Sequence, residues 1–151
     1  MIQVGDPAPE FAGTDCQGRP VTLFGFRGRK VVLFFFPRVF TAGCTLENRY
    51  FRDHYEEVRA LGAELVGVSV DPAAKSCEFA SQENIHFALL SDSSREISRA
   101  YGVLWPLLNV DKRMTFVIDE QGKVERILHH EVRVFRHLDD VLAHLREQVP
   151  A

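Results

Sequence analysis

The stretch VVLFFFPRVFTAGCT, residues 31–45, decides the fold. Val31 to Phe36 is an unbroken apolar run, which reads as a strand buried on both faces inside a parallel sheet. Pro37 ends it, because proline brings no N–H to a ladder. Beyond it, Leu46, Tyr50, Phe51, Tyr55, Val58 and Leu61 recur at helical spacing. That predicts a helix over about 43–61, with Cys44 in its first turn. A thiol placed there meets backbone N–H groups that lack intrahelical acceptors, and the positive end of the helix dipole. Both favour its anion, so Cys44 is placed to react.

Working outward, Gly5 to Gly28 is rich in Gly, Pro and Asp and reads as a loop with an edge hairpin around Pro20–Phe24. Downstream, Glu64–Val70 is a second buried strand, followed by a turn at Asp71–Pro72 and a helix over 73–83. Phe87–Leu90 is a short strand and Ser94–Tyr101 a short helix. Met114–Asp119 and Lys123–His129 pair around Glu120-Gln121-Gly122. Phe135, Leu138, Val141, Leu142, Leu145 and Val149 mark an amphipathic closing helix. Strands alternating with helices and ending in a hairpin plus helix predict an α/β sandwich around a mixed central sheet.

The 151 residues suit one domain, 1–151, with no internal composition break. With 18 basic and 21 acidic residues, the charge argues against nucleic acid or an anionic membrane as the main partner. The start, MIQVGDPAPEF, lacks the basic and apolar regions of a secretion signal, and no apolar run approaches membrane-spanning length. A cytoplasmic protein is the expectation. Cys16, Cys44 and Cys77 are too few and scattered for a disulfide scaffold, and no C-x-x-C suggests zinc or a dithiol motif. One working thiol is therefore expected.

Helix-start chemistry alone does not make an efficient catalyst. Roughly thirtyfold more thiolate at neutral pH lowers a barrier by only about 2 kcal/mol. The remainder must come from donors that hold the electrophile and stabilise charge on its leaving atom. Arg113, in DKRMTFVID, precedes a strand expected in the same sheet as Val31–Phe36 and carries a permanent planar charge. Glu47 lies one turn past Cys44 on the same helix face, where its useful role is to anchor that arginine. Thr41 precedes Cys44 by the spacing of a capping box, and by itself reads as a helix cap. Gly43 lets a substrate approach the backbone closely. His129-His130 points to opposite faces of its strand and reads as structural.

Together these residues carry a resemblance. Pro37-x-x-x-Thr41-x-x-Cys44 after a strand, Glu47, and Arg113-x-Thr115-Phe116-x-Ile118-Asp119 before a turn resemble a peroxiredoxin. VGDPAPEF (4–11), FRD (51–53), GVSVD (67–71), LLSD (89–92) and AYGV (100–103) match the same pattern. The bacterioferritin-comigratory, or Q-type, bacterial branch is most similar. The resemblance implies a thioredoxin-like fold and a thiol-dependent peroxidase acting on hydrogen peroxide and alkyl hydroperoxides, with no metal or organic cofactor needed. It implies Cys44 as the peroxidatic cysteine that becomes a sulfenic acid, and Thr41, Gly43 and Cys44 backbone as donors to the peroxide. It also implies Pro37 as a shield, Arg113 as stabiliser of thiolate and transition state, and Glu47 as its anchor. The implied reductant is thioredoxin or a low-molecular-weight thiol, and the implied state is a monomer or homodimer.

The chain also departs from that pattern. Many Q-type members resemble one another in a second cysteine five residues after the first, where this chain has Arg49. Others carry the resolving cysteine on the next helix, where Cys77 lies, so Cys77 is either the resolver or an ordinary cysteine. Cys16 reads as incidental. If neither serves, an external thiol attacks the sulfenate directly. Leu104, Trp105, Leu107 and Leu108 form an apolar segment that should avoid water, under the sheet edge or as a dimer surface or hydrophobic lip. A thiolate phosphatase fails on geometry, since it needs Cys-x5-Arg and has Tyr50 there. A peroxide-sensing relay or thiol chaperone using the same cysteine is the alternative function.

Overall fold

The computed structural model describes residues 2–130 and 134–148. Its strands are β1 (Ala12–Thr14), β2 (Pro20–Thr22), β3 (Lys30–Phe35), β4 (Ala63–Ser69), β5 (Ala88–Ser91), β6 (Met114–Ile118) and β7 (Val124–His129). Its helices are α1 (Ala42–Asp53), α2 (Tyr55–Ala60), α3 (Ala73–Gln82), α4 (Glu96–Tyr101) and α5 (Val134–Gln148). β1 and β2 form the separate antiparallel hairpin; the other five strands run in the order β5-β4-β3-β6-β7. β3 pairs parallel with β4 and antiparallel with β6, so the sheet is mixed as expected.

The expected helix over 43–61 is broken at His54, the last residue before α2, whose φ of −109° and ψ of 9° leave the helical region. His54 Nδ1 lies 2.9 Å from the Tyr50 carbonyl oxygen at that break. The closing helix is present, although the Val149 of its expected stripe lies outside the described residues.

Every residue of β3 is buried, and alternate side chains enter different cores. Val32 and Phe34 face α1, α2, α3 and α5, meeting Phe51, Val58, Phe79, Leu138 and Val141. Phe34 stacks on Phe51 with ring centroids 4.2 Å apart. Val31, Leu33 and Phe35 face the other way, toward the hairpin and α4, meeting Phe11, Val21, Tyr101 and Phe116. This two-sided burial explains why the run carries no polar alternation.

At Gly67 of β4, an added Cβ would stand 2.7 Å from Phe34 Cζ and 3.0 Å from Leu89 Cδ1. Gly67→Ala should therefore cost roughly 1–3 kcal/mol by overpacking, read by urea unfolding. Phe34→Leu in the same chain should recover part of that loss; strictly additive costs would show that the two sites do not collide.

Just past β5, Asp92 accepts hydrogen bonds from the Ser98 N–H and hydroxyl, both at 2.7 Å, and from the Ile97 N–H at 3.2 Å. It thereby satisfies N–H groups at the start of α4. Asp111 is fully buried beside it, close to the same Ser98. Burial, helped by the nearby Asp92 and Asp71 charges, outweighs the opposing Ser98 hydroxyl and Arg95 charge and pushes its pKa from 3.8 to about 7. Because the folded chain holds this proton more tightly than the unfolded chain, stability is full below about pH 4 and is lost as pH rises through about 7. Asp111→Asn should remove that loss, amounting to roughly 3 kcal/mol between pH 5 and pH 8. Chemical denaturation at both pH values tests this; an unchanged pH dependence in the variant would acquit Asp111.

Candidate active site

Antiparallel pairing sets Phe35 of β3 opposite Met114 of β6. The loop that leaves β3 therefore runs past the residue that enters β6, which is Arg113. The same loop is tied to β4: the Phe36 N–H reaches the Val68 carbonyl at 3.1 Å, and the Val39 N–H reaches Asp71 Oδ2 at 2.9 Å. Asp71 Oδ2 also accepts from the Ser69 hydroxyl at 2.9 Å. Phe40 takes a left-handed φ of 65°, turning the chain into α1, and its ring packs edge-on against Phe79 of α3 at 5.2 Å. Helix α1 opens at Ala42, and its first internal bond runs from the Thr45 N–H to the Thr41 carbonyl at 2.8 Å. The N–H groups of Ala42, Gly43 and Cys44 precede that bond and have no acceptor within the helix.

Cys44 is completely buried, with Arg113 Nη2 3.5 Å from its sulfur. Arg113 Nη1 donates to Glu47 Oε1 at 2.7 Å. The guanidinium and carboxylate are both buried, at 6% and 1% exposure, so neither is screened by water. Burial by itself would lower the Arg113 pKa; the charges of Glu47 and Cys44 outweigh it and raise the pKa above its ordinary value. The site thus contains a permanent cation directed at the thiol. Gly43 makes room for it: an added Cβ would lie 3.3 Å from Arg113 Nη2.

Cys44, Gly43, Glu47 and Arg113 are therefore brought together. Pro37 is half-buried at the head of the loop. Thr41 occupies the N-cap position of α1, but its hydroxyl donates to the Arg38 carbonyl at 3.1 Å and makes no cap bond. That corrects the helix-cap reading, and leaves the exposed threonine at the open side of the site. Two contributors were missed. Asn48 Nδ2 donates to the Cys44 carbonyl at 2.9 Å from a fully buried position, and Asp71 clamps the loop. The GVSVD stretch was the available signal for Asp71; nothing local marked Asn48.

The other cysteines depart from expectation. Cys77 forms a disulfide with Cys16 rather than with Cys44, the two Cα atoms lying 5.2 Å apart across 61 residues of chain. Cys44 is the free thiol. Cys16 is thus not incidental, and a bridge exists where scattered cysteines had suggested none. Sequence could not show it, because the β1–β2 hairpin must first fold over the sheet edge to bring Cys16 to α3. Arg49, at the place of the absent second cysteine, is paired with Glu83 at the end of α3. Of the readings for the apolar segment, packing under the sheet edge does not hold for Leu107 and Leu108, which are exposed in the single chain, Leu107 at 97%. Trp105 instead stacks under the Lys112 ammonium at 5.1 Å and near His129 at 6.3 Å. His130 meets Asp140 at 3.2 Å, and among the described residues no group of three or more metal-binding side chains converges.

Gly43→Ala should displace the guanidinium from the sulfur and slow alkylation of Cys44 about tenfold, equivalent to about 1.4 kcal/mol. Iodoacetamide labelling at neutral pH would measure it; an unchanged rate would mean that the Arg113 contact does not activate the thiol.

Residues 4–127 match the AhpC/TSA family. The chain is 37% identical over 142 residues to chloroplastic peroxiredoxin Q of Oryza sativa subsp. japonica, covering 93% of this chain and 65% of the relative. It is 33% identical over 152 residues to peroxiredoxin Bcp of Escherichia coli, covering 97% of each. The crystal structure of peroxidoxin BcpB from Mycobacterium tuberculosis superposes with a TM-score of 0.91 at 36% identity, over 99% of this chain and 100% of that one. The fold is the thioredoxin-like α/β fold of these neighbours, and among the described residues no helix is long and apolar enough to cross a membrane. A buried helix-start cysteine under an arginine, in a chain so similar to these relatives, makes this chain a peroxiredoxin of the PrxQ/Bcp type within the AhpC/TSA family.

Proposed function

We propose that the chain is a thiol peroxidase that reduces hydrogen peroxide and alkyl hydroperoxides through Cys44. The observation that carries this reading is the Arg113 guanidinium, held by Glu47 at 2.7 Å and directed at the Cys44 sulfur at 3.5 Å. The Cys44 thiolate attacks the terminal oxygen of the peroxide. The O–O bond breaks, its electron pair leaves on the distal oxygen, and a proton converts that oxygen to water or alcohol while Cys44 becomes a sulfenic acid. Charge grows on the leaving oxygen, so fixed donors lower the barrier most there. Arg113 and the N–H groups of Gly43 and Cys44 supply those donors, and the Thr41 hydroxyl joins them by turning away from the Arg38 carbonyl. Pro37 limits access of water to the sulfur. A thiol reductant, thioredoxin or a small thiol, then returns the protein to its starting state.

Cys44→Ser should abolish rapid peroxide consumption, since a serine hydroxyl cannot replace the thiolate that Arg113 faces. Arg113→Met leaves Glu47 buried without its cation and should cost roughly 3–5 kcal/mol of stability, so the informative variant is Arg113→Met with Glu47→Gln. That double variant should fold, and should lower the second-order rate with peroxide by at least about a hundredfold. Stopped-flow fluorescence would measure this, and a near-native rate would remove Arg113 from the mechanism.

A further inference from the structure

We propose that Cys16 and Cys77 form a second redox centre that reduces oxidised Cys44 and presents the resulting disulfide at the surface. This rests on the peroxidase reading above. Cys44 is completely buried, so a protein reductant cannot reach its sulfur in the folded site. The Cys16–Cys77 pair is half-buried and opens on a cleft of about 320 Å³, which Gln17, Ser81, Asn84 and His86 also line. Its Cα separation of 5.2 Å lies within bridging range, so the pair can close and reopen without large movement.

The two centres share a helix–helix contact. Phe40, in the turn before α1, packs on Phe79 of α3. Arg49 of α1 pairs with the Glu83 side chain at the end of α3, and Arg52 donates to the Glu83 carbonyl at 2.8 Å. Cys44, Phe79 and Ala80 belong to one apolar core, and Cys16 packs against its rim. Neither α1 nor α3 has a side-chain cap at its start, α3 has no acidic residue in its first turn, and residues 72–75 are exposed. These first turns are the parts able to open locally and let Cys77 meet Cys44.

In the relay, the Cys77 sulfur attacks the sulfur of the Cys44 sulfenic acid. A Cys44–Cys77 disulfide forms, and the hydroxyl leaves as water with the Cys77 proton. The Cys16 thiolate then attacks Cys77; the S–S bond breaks and its electron pair returns to Cys44 as thiolate. Two thiols have supplied two electrons, one water has formed, and the oxidation now sits in the cleft. A dithiol reductant opens the Cys16–Cys77 bond by exchange.

The test is disulfide mapping of fully reduced protein after one equivalent of hydrogen peroxide and rapid alkylation. Wild type should show Cys16–Cys77 bonded and Cys44 alkylated. Cys16→Ser and Cys16→Ala should instead accumulate a Cys44–Cys77 bond, and Cys77→Ser a sulfenic acid on Cys44 trapped by dimedone. In Cys44→Ser, the Cys16–Cys77 bond should form at least a hundredfold more slowly than in wild type. Equal rates with and without Cys44 would overturn the relay and make the bridge an independent clamp. So would a wild type in which Cys44 oxidises while Cys16 and Cys77 stay thiols, an outcome that leaves the peroxidase reading standing. If Cys44 never oxidises, the peroxidase reading itself falls, and the relay with it.

Discussion

Everything in the candidate site depends on β3 being paired in opposite senses on its two sides. Its parallel partner β4 ends where β3 ends, so Ser69 and Asp71 arrive beside the loop that leaves β3. Its antiparallel partner β6 begins at that same end, so Arg113 arrives there from the opposite direction. A purely parallel sheet would deliver only strand C-termini to this rim. The mixed sheet delivers a carboxylate clamp for the loop and a cation for the thiol, and each is positioned by backbone ladders rather than by flexible side chains.

The arginine is held by three restraints of different kinds. Glu47 fixes one nitrogen by a charge-assisted bond, the sulfur of Cys44 faces another, and Gly43 leaves the space that the guanidinium fills. A lysine would offer a point charge and could not meet carboxylate and sulfur from one rigid plane. Burying the pair carries a desolvation cost that the Coulomb attraction offsets only while both partners are present. The arrangement is therefore better understood as pre-organisation for reaction than as a source of stability. Asn48, bonded to the Cys44 carbonyl, holds the first turn of α1 in the same register.

The three cysteines occupy two distinct environments. Cys44 sits in a closed apolar core beneath a fixed positive charge, which suits a nucleophile for a small electrophile. Cys16 and Cys77 join the β1–β2 hairpin to α3 around β5, the edge strand, with the Cys16 sulfur 3.8 Å from the Leu89 carbonyl oxygen of that strand. Leu107 and Leu108 project from another part of the molecule, between α4 and β6.

The chain order of elements, the buried character of β3 and the placement of Cys44 at a helix start were legible in residues 31–61, because strand burial and helical periodicity are local properties. The association of Glu47 with Arg113 could be anticipated from charge and chemistry, since a carboxylate near a reactive thiol needs a cation. Three features were not legible. The break at His54 interrupts a continuous apolar stripe, and periodicity alone does not register one residue leaving the helical φ/ψ region. The role of Asn48 depends on which way one polar side chain turns inside the core. The Cys16–Cys77 bond depends on the hairpin folding around the sheet edge, which brings together residues 61 positions apart. Local pattern determined what each segment is; only the packing of the segments decided which side chains meet, because that depends on strand direction and on the faces left to be covered.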